Sequence, residues 1–97
     1  MKFNERVYEI LKKIPYGKIC TYKIIAEKLN TKAYRAVGNA LNKNEYPEKI
    51  PCFKIINSSG DLGGYSLGLK EKIKRLKKEG IEIKDNKIDL KKYLHEF

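Results

Sequence analysis

The residue with the most chemistry to offer is Cys52, set between Pro51 and Phe53. A thiolate is a strong nucleophile and a thiol a poor one. An unperturbed thiol has a pKa of about 8.5, which leaves only a few per cent ionised at neutral pH. Phe53 accepts no proton, and its apolar ring would raise the Cys52 pKa by desolvation. Excess positive charge, Lys54 or a helix N-terminus beside the sulfur would lower it. The sole histidine, His95, stands near the C-terminus and is expected to be exposed rather than to act as a replacement base. Cys20 lies far from Cys52, and the two lack metal-ligand spacing. Cys20 reads as a small buried hydrophobe and both cysteines as free thiols of a reducing cytoplasm. No metal and no cofactor is expected.

Two further clusters carry chemical meaning. Gly63, Gly64 and Gly68 crowd around Tyr65 and Ser66, a density that lets backbone approach a ligand closely. The chain also carries 22 Lys and Arg against 12 Asp and Glu, a net charge of +10, which favours polyanionic partners with nucleic acid first. The charge is placed unevenly. Between Glu27 and Glu45 there is no acidic residue, while Lys28, Lys32, Arg35 and Lys43 all fall there. Phosphates attract such a local excess.

The elements that must position these residues are short. A first helix is expected from Asn4 as N-cap, with Phe3, Val7, Ile10, Leu11 and Ile14 as its apolar stripe. Pro15-Tyr16-Gly17-Lys18 is a turn, and Ile19-Cys20 is briefly extended. Thr21 caps a second helix bearing Tyr22, Ile25, Ala26 and Leu29 on one face. A third helix, from about Ala33 to Asn42, buries Ala33, Ala36, Val37, Ala40 and Leu41 and presents Arg35, Gly38, Asn39 and Asn42. Two short helices joined by a tight turn, the second with a small, polar face lacking carboxylates, resemble a helix-turn-helix.

Beyond it the chain reads as irregular to residue 68, with Pro47 and Pro51 bracketing Glu48-Lys49-Ile50, and with Ile55-Ile56 as a short strand. A fourth helix is expected with Leu69, Ile73 and Leu76 inward and Lys70, Lys72, Lys74, Lys77 and Lys78 mostly outward, ending at Gly80. A small hairpin turns at Asp85-Asn86, and a last helical turn starts from Asp89. The 97 residues are expected to form one domain, mostly α with small β elements and winged helix-turn-helix-like. No apolar run approaches the roughly 20 residues that span a bilayer, and no signal-peptide core is visible, so a cytoplasmic protein without membrane contact is expected, nucleoid-associated if prokaryotic.

Several segments converge on one family. Ile14-Pro15-Tyr16-Gly17-Lys18, Thr21-Tyr22, Arg35-Ala36-Val37-Gly38-Asn39-Ala40-Leu41, Asn44, Ile50-Pro51-Cys52 and Leu62-Gly63-Gly64-Tyr65-Ser66-Leu67-Gly68-Leu69 follow in order. In order and spacing they resemble the DNA-binding domain of O6-alkylguanine-DNA alkyltransferases, without the N-terminal domain that many members carry. The resemblance implies a repair protein that binds the minor groove of duplex DNA, flips an O6-alkylguanine out of the stack and moves the alkyl group to a cysteine once per molecule. By position, Cys52 is the implied acceptor, Tyr22 the proton donor to the departing guanine, and Glu79 the distal member of the relay that activates the thiol. Arg35 is implied to fill the gap left by the flipped base, with Thr21, Ala36, Gly38, Asn39, Asn42 and Lys43 as further DNA contacts. Asn44, Pro47, Pro51, Phe53, Tyr65 and Ser66 are implied to build the pocket. The implied partner is duplex DNA containing O6-alkylguanine, met by a monomer.

One position departs from the family pattern. After Pro-Cys the family has His then Arg, where this chain has Phe53 and Lys54. Three readings stay open: an alkyltransferase activated in another way, a relative that recognises alkylated DNA without transfer and signals to excision-repair proteins, and a plain DNA-binding module. Glu79, without its usual partner, also reads as an exposed helix-end carboxylate.

Overall fold

The computed structural model describes residues 2–46 and 49–97. Among the described residues, five helices and a two-stranded sheet follow in the order α1 (Phe3–Leu11), β1 (Cys20–Thr21), α2 (Tyr22–Lys28), α3 (Tyr34–Asn42), a 3-10 turn (Cys52–Lys54), β2 (Ile55–Ile56), α4 (Leu69–Lys78) and α5 (Leu90–Tyr93). The helix-turn-helix expectation corresponds to α2 and α3. Thr21 opens α2 as expected, its side chain accepting from the backbone N–H of Ile24 at 3.2 Å. Helix α1 instead starts two residues early, with Lys2 as its N-cap and no side-chain cap. Ala33, expected in the stripe of α3, lies before its first turn and is exposed, while Val37, Ala40 and Leu41 are buried.

Two apolar clusters hold these parts together. The first gathers Val7, Leu11, Ile25, Ala26, Val37 and Ala40 of the three N-terminal helices, and includes Cys20, Cys52 and Ile55. The second gathers Ile19, Phe53, Ile56, Leu76, Ile81 and Tyr93 under the C-terminal half. The sheet joins them. Strands β1 and β2 pair in parallel, Cys20 with Ile55 and Thr21 with Ile56. This pairing brings the segment that enters α2 alongside the segment that leaves Cys52, across more than thirty intervening positions of sequence. Both strands are buried on both faces, with Thr21 as the one polar residue among them.

The fourth helix corrects an expectation. Lys72 points inward and is wholly buried, whereas Leu69 is 43% exposed. Lys72 and Leu76 are four residues apart and share the inward face, with Ile73 partly buried beside them. A lysine can occupy such a face because its four-carbon stem packs as a hydrophobe and its ammonium is hydrogen-bonded. The C-terminal segment follows the sequence pattern closely. Asp85 and Asn86 both take positive φ, as the central pair of a tight turn requires, and Lys84 bridges Lys87 across it. Asp89 caps α5 by accepting from Lys91 N at 3.0 Å. His95 is half-buried rather than exposed. Its backbone N–H donates to Ile19 O at 2.8 Å and its ring meets Phe97 edge-on.

Candidate active site

Cys52 sits on the first position of the 3-10 turn, only 4% exposed, with its side chain in the N-terminal core. Asn44, two residues past α3, reaches it from the side. The Asn44 amide donates both to Cys52 Sγ and to Ile50 O, the latter at 3.0 Å, and its oxygen accepts from Tyr46 N at 2.9 Å. One side chain therefore fixes the loop before the cysteine and places a donor on the sulfur, an arrangement that favours the thiolate. Pro47, expected at the pocket edge, and Glu48 lie outside the described residues. Pro51 is half-buried and precedes the turn.

Electrostatics at the sulfur are a contest. Burial pushes the Cys52 thiol up. The Asn44 amide, the backbone N–H of Cys52, Lys72 and Arg75 oppose it, in that order. Three phenols share the neighbourhood. Burial raises the pKa of Tyr22 and then Cys52 raises it further; Tyr8 is raised by burial, by Cys52 and by Glu45. Tyr65 is also raised by burial, with Arg75 pulling down and Cys52 and Glu71 pushing up. All three stay protonated at neutral pH and can donate. Tyr8 is committed, its hydroxyl donating to Ala40 O at 2.7 Å and locking α1 to α3. The Tyr65 hydroxyl oxygen is buried and has no hydrogen-bond partner among the described residues, so it can serve a bound molecule.

The Gly-rich segment forms the wall that carries Tyr65. Gly63 sits at φ +69°, where a side chain would also come within 3.3 Å of the Asn57 amide oxygen. Ser66 is exposed beside Tyr65. Lys72 secures this wall from behind: its ammonium donates to Ile55 O at 2.7 Å, to Leu62 O and to Gly64 O at 3.0 Å. Sequence reasoning overlooked this residue, since lysines at that spacing normally mark a solvated face.

Glu79 does not stand exposed and unpartnered. It ends α4, and its Oε1 accepts from Lys54 Nζ at 2.9 Å and from Gly17 N at 2.9 Å. Lys54 is itself buried and donates also to Pro15 O at 3.1 Å and Ile14 O at 3.4 Å. Lys54 is thus directed into the turn after α1, where Glu79 neutralises it. Phe53 is buried in the second cluster, with Lys54 Nζ 5.9 Å from its ring centroid. An open cleft outside it is lined by Tyr16, Phe53, Arg75, Lys78 and Glu79 among others.

Helix α3 carries the face expected to meet DNA. Arg35, Asn39, Asn42 and Lys43 are exposed along α3 and its end, while Ala36 and Gly38 are partly covered. Thr21 is instead buried, so its part on this face is to orient Tyr22 through the cap of α2. Tyr22 links the two regions. It packs on the core cluster that contains Cys52, and it lines a cleft with Lys23, Tyr34, Asn57, Ser58 and Ser59. A phenol thus sits between the thiol and a surface bounded by the start of α3.

The sequence and the fold match those of known proteins. The model of the 6-O-methylguanine DNA methyltransferase DNA-binding domain covers residues 2–81. A bifunctional methyltransferase/endonuclease of Picrophilus torridus is 51% identical over 88 residues, covering 90% of this chain and 30% of that protein. A methylated-DNA–protein-cysteine methyltransferase of Sulfolobus acidocaldarius is 49% identical over 81 residues, covering 84% of this chain and 51% of that protein. The chain therefore spans about half or less of these relatives. Among solved structures, S. pombe Atl1 in complex with damaged DNA containing O6-carboxymethylguanine superposes with a TM-score of 0.89 at 30% identity, covering both chains in full. Mycobacterium tuberculosis OGT in complex with DNA superposes with a TM-score of 0.77 at 38% identity, covering 81% of this chain and 50% of that one. With matching sequence, fold and order of elements, the chain belongs to the 6-O-methylguanine DNA methyltransferase family through its DNA-binding domain.

Proposed function

We propose that this protein binds alkylated duplex DNA in repair and accepts the alkyl group of O6-alkylguanine on Cys52, once per molecule. The observation that carries this reading is the setting of Cys52: a buried sulfur with the Asn44 amide donating to it and the phenols of Tyr22 and Tyr65 around it. Helix α3 would lie in the minor groove, where its small face permits close approach and where repair needs no base code. Arg35, exposed in the first turn of α3, would occupy the place of the flipped base. The thiol first loses its proton to solvent. The sulfur then attacks the alkyl carbon, the S–C bond forming as the O6–C bond breaks, and the electron pair stays on guanine O6. The Tyr22 hydroxyl protonates the departing guanine and recovers its proton from water.

A second reading, recognition without transfer, is favoured by Phe53 in place of a base and by the full-length likeness to Atl1. Its consequence would be a signal to excision-repair proteins. Both readings are tested together by incubating the protein with an O6-methylguanine duplex and with its unmodified counterpart at one salt concentration. Preferential binding with a methyl group gained on Cys52 supports transfer. Preferential binding with an unmodified thiol after prolonged incubation supports recognition alone. Equal affinity for both duplexes would overturn both.

A further inference from the structure

The 3-10 turn that carries Cys52 is three residues long, and few of its own bonds close it: Lys54 N donates to Pro51 O at 3.2 Å and Ile55 N to Cys52 O. Turns of this kind are held weakly by themselves. A nucleophile in a displacement reaction must nevertheless be held in line with the bond it breaks. Upstream, Asn44 ties Ile50 O and Cys52 Sγ together. Downstream, Lys54 follows Cys52 by two residues and sends its side chain into the turn after α1, where Glu79 meets it. We propose that Lys54 and Glu79 are positioning residues for alkyl transfer, which clamp the Cys52 turn to the turn after α1 and to the end of α4 and so aim the sulfur at the alkyl carbon. Their role rests on Cys52 being the alkyl acceptor, and one arm of the test below needs no DNA.

The ammonium of Lys54 meets three oxygens: Glu79 Oε1 at 2.9 Å, Pro15 O at 3.1 Å and Ile14 O at 3.4 Å. An ammonium has three N–H groups and accepts nothing, so this set satisfies it and fixes the direction of its stem. A buried charge is stable only when it is paired and hydrogen-bonded in this way. Glu79 is held in turn. The same Oε1 accepts from Gly17 N at 2.9 Å, and the Tyr16 hydroxyl donates to the preceding carbonyl, Lys78 O, at 2.8 Å. Gly17 takes φ +80°, a conformation that presents its N–H to the carboxylate at no steric cost. Three stretches distant in sequence, at residues 14–17, 54 and 78–79, thus meet around one ammonium. Each residue of the Cys52 turn has its own anchor. Asn44 holds the sulfur, the C-terminal core holds the Phe53 ring, and Glu79 holds the Lys54 ammonium. With Phe53 between Cys52 and Lys54 there is no proton acceptor at that position, so the pair acts on the geometry of the thiol and not on its ionisation.

Lys54→Met keeps the stem and removes all three donors, whereas Lys54→Arg keeps the charge and the donors. The first arm is amide hydrogen exchange of the free protein, read by mass spectrometry. Lys54→Met is expected to speed exchange across residues 52–56 by about tenfold while α2 and α3 keep their rates, and Lys54→Arg to restore most of the protection. The second arm is single-turnover methyl transfer from a saturating O6-methylguanine duplex. Lys54→Met is expected to slow transfer by about tenfold or more, since a misplacement of about 1 Å can cost roughly 100-fold. Duplex affinity is expected to stay as it was, and so is the midpoint of the pH profile of Cys52 alkylation by iodoacetamide. A merely structural pair would loosen the whole molecule and leave the rate per folded molecule unchanged. Unchanged exchange or an unchanged transfer rate in folded Lys54→Met would overturn the proposal. So would a loss of rate that follows weaker duplex binding or a shifted midpoint. Should Lys54→Met not fold, Glu79→Gln, which keeps an acceptor and removes the charge, decides by the same readings. Absence of transfer in the unmutated protein, together with the expected exchange, would refute the transfer reading and leave the clamp on the turn standing.

Discussion

At the scale of single residues, the unusual feature is an apolar ring where a base would help. Phe53 is packed in the C-terminal core, so it is a built part of the fold and not a loose replacement. Restoring a histidine there gives the thiol an acceptor, yet the carboxylate that would orient it is engaged by Lys54 at 2.9 Å. Phe53→His is accordingly expected to raise the methyl-transfer rate by well under the roughly 100-fold that a positioned general base supplies, as read from single-turnover kinetics. Cys20 offers a contrast at the same scale. Burial raises its pKa to about 11, and with no exposed surface it is expected to label with iodoacetamide more slowly than Cys52. Equal labelling of the two at pH 8 would contradict the distinct settings described for them. The sequence made Cys52, Phe53 and Asn44 visible because their order and neighbours are distinctive. It hid Lys72, since the same letter denotes a solvated cation at Lys74 and a wholly buried one two residues earlier. Only the tertiary setting, three carbonyls converging on one ammonium, separates them.

At the scale of elements, the end of α4 is fastened to the turn after α1. Lys54 joins Glu79 to the carbonyls of Ile14 and Pro15, and the Tyr16 hydroxyl donates to Lys78 O at 2.8 Å. Both members of the ion pair are largely buried, their side chains 5% and 13% exposed. Removing one partner leaves an uncompensated charge, so Glu79→Ala is expected to cost about 3–5 kcal/mol in denaturant unfolding. Its effect on the Cys52 labelling midpoint should be small beside that loss. A large midpoint shift with unchanged stability would instead make Glu79 part of the thiol's activation. The helix pattern was readable for α1 to α3 because their stripes are apolar, whereas α4 was misjudged in phase: Leu69 proved exposed and Lys72 buried. The parallel pairing of Cys20-Thr21 with Ile55-Ile56 was not legible, because two-residue strands carry no periodicity and their pairing is set by distant packing. The hairpin at Asp85-Asn86 and the Asp89 cap were legible because turn chemistry is local.

At the scale of the whole molecule, the excess of +10 is a field as well as a composition. Arg35 and Lys43 stand exposed on α3 and its end, and Lys28 and Lys32 flank the turn before it. Binding to duplex DNA should therefore weaken steeply with salt, log affinity falling linearly with log salt concentration. Arg35→Ala is expected to weaken binding to alkylated duplex by roughly tenfold or more at fixed salt, a modest share of the few kcal/mol that base flipping costs. Unchanged affinity would count against flipping. The central claim, that Cys52 receives the alkyl group, is most directly tested by stoichiometry. Protein is mixed with limiting and then excess O6-methylguanine duplex, and methylated Cys52 peptide is counted against O6-methylguanine lost. The expected result is one methyl on Cys52 for each lesion removed, saturating at one per chain. Duplex that is bound while its O6-methylguanine persists and Cys52 stays unmodified would contradict the claim.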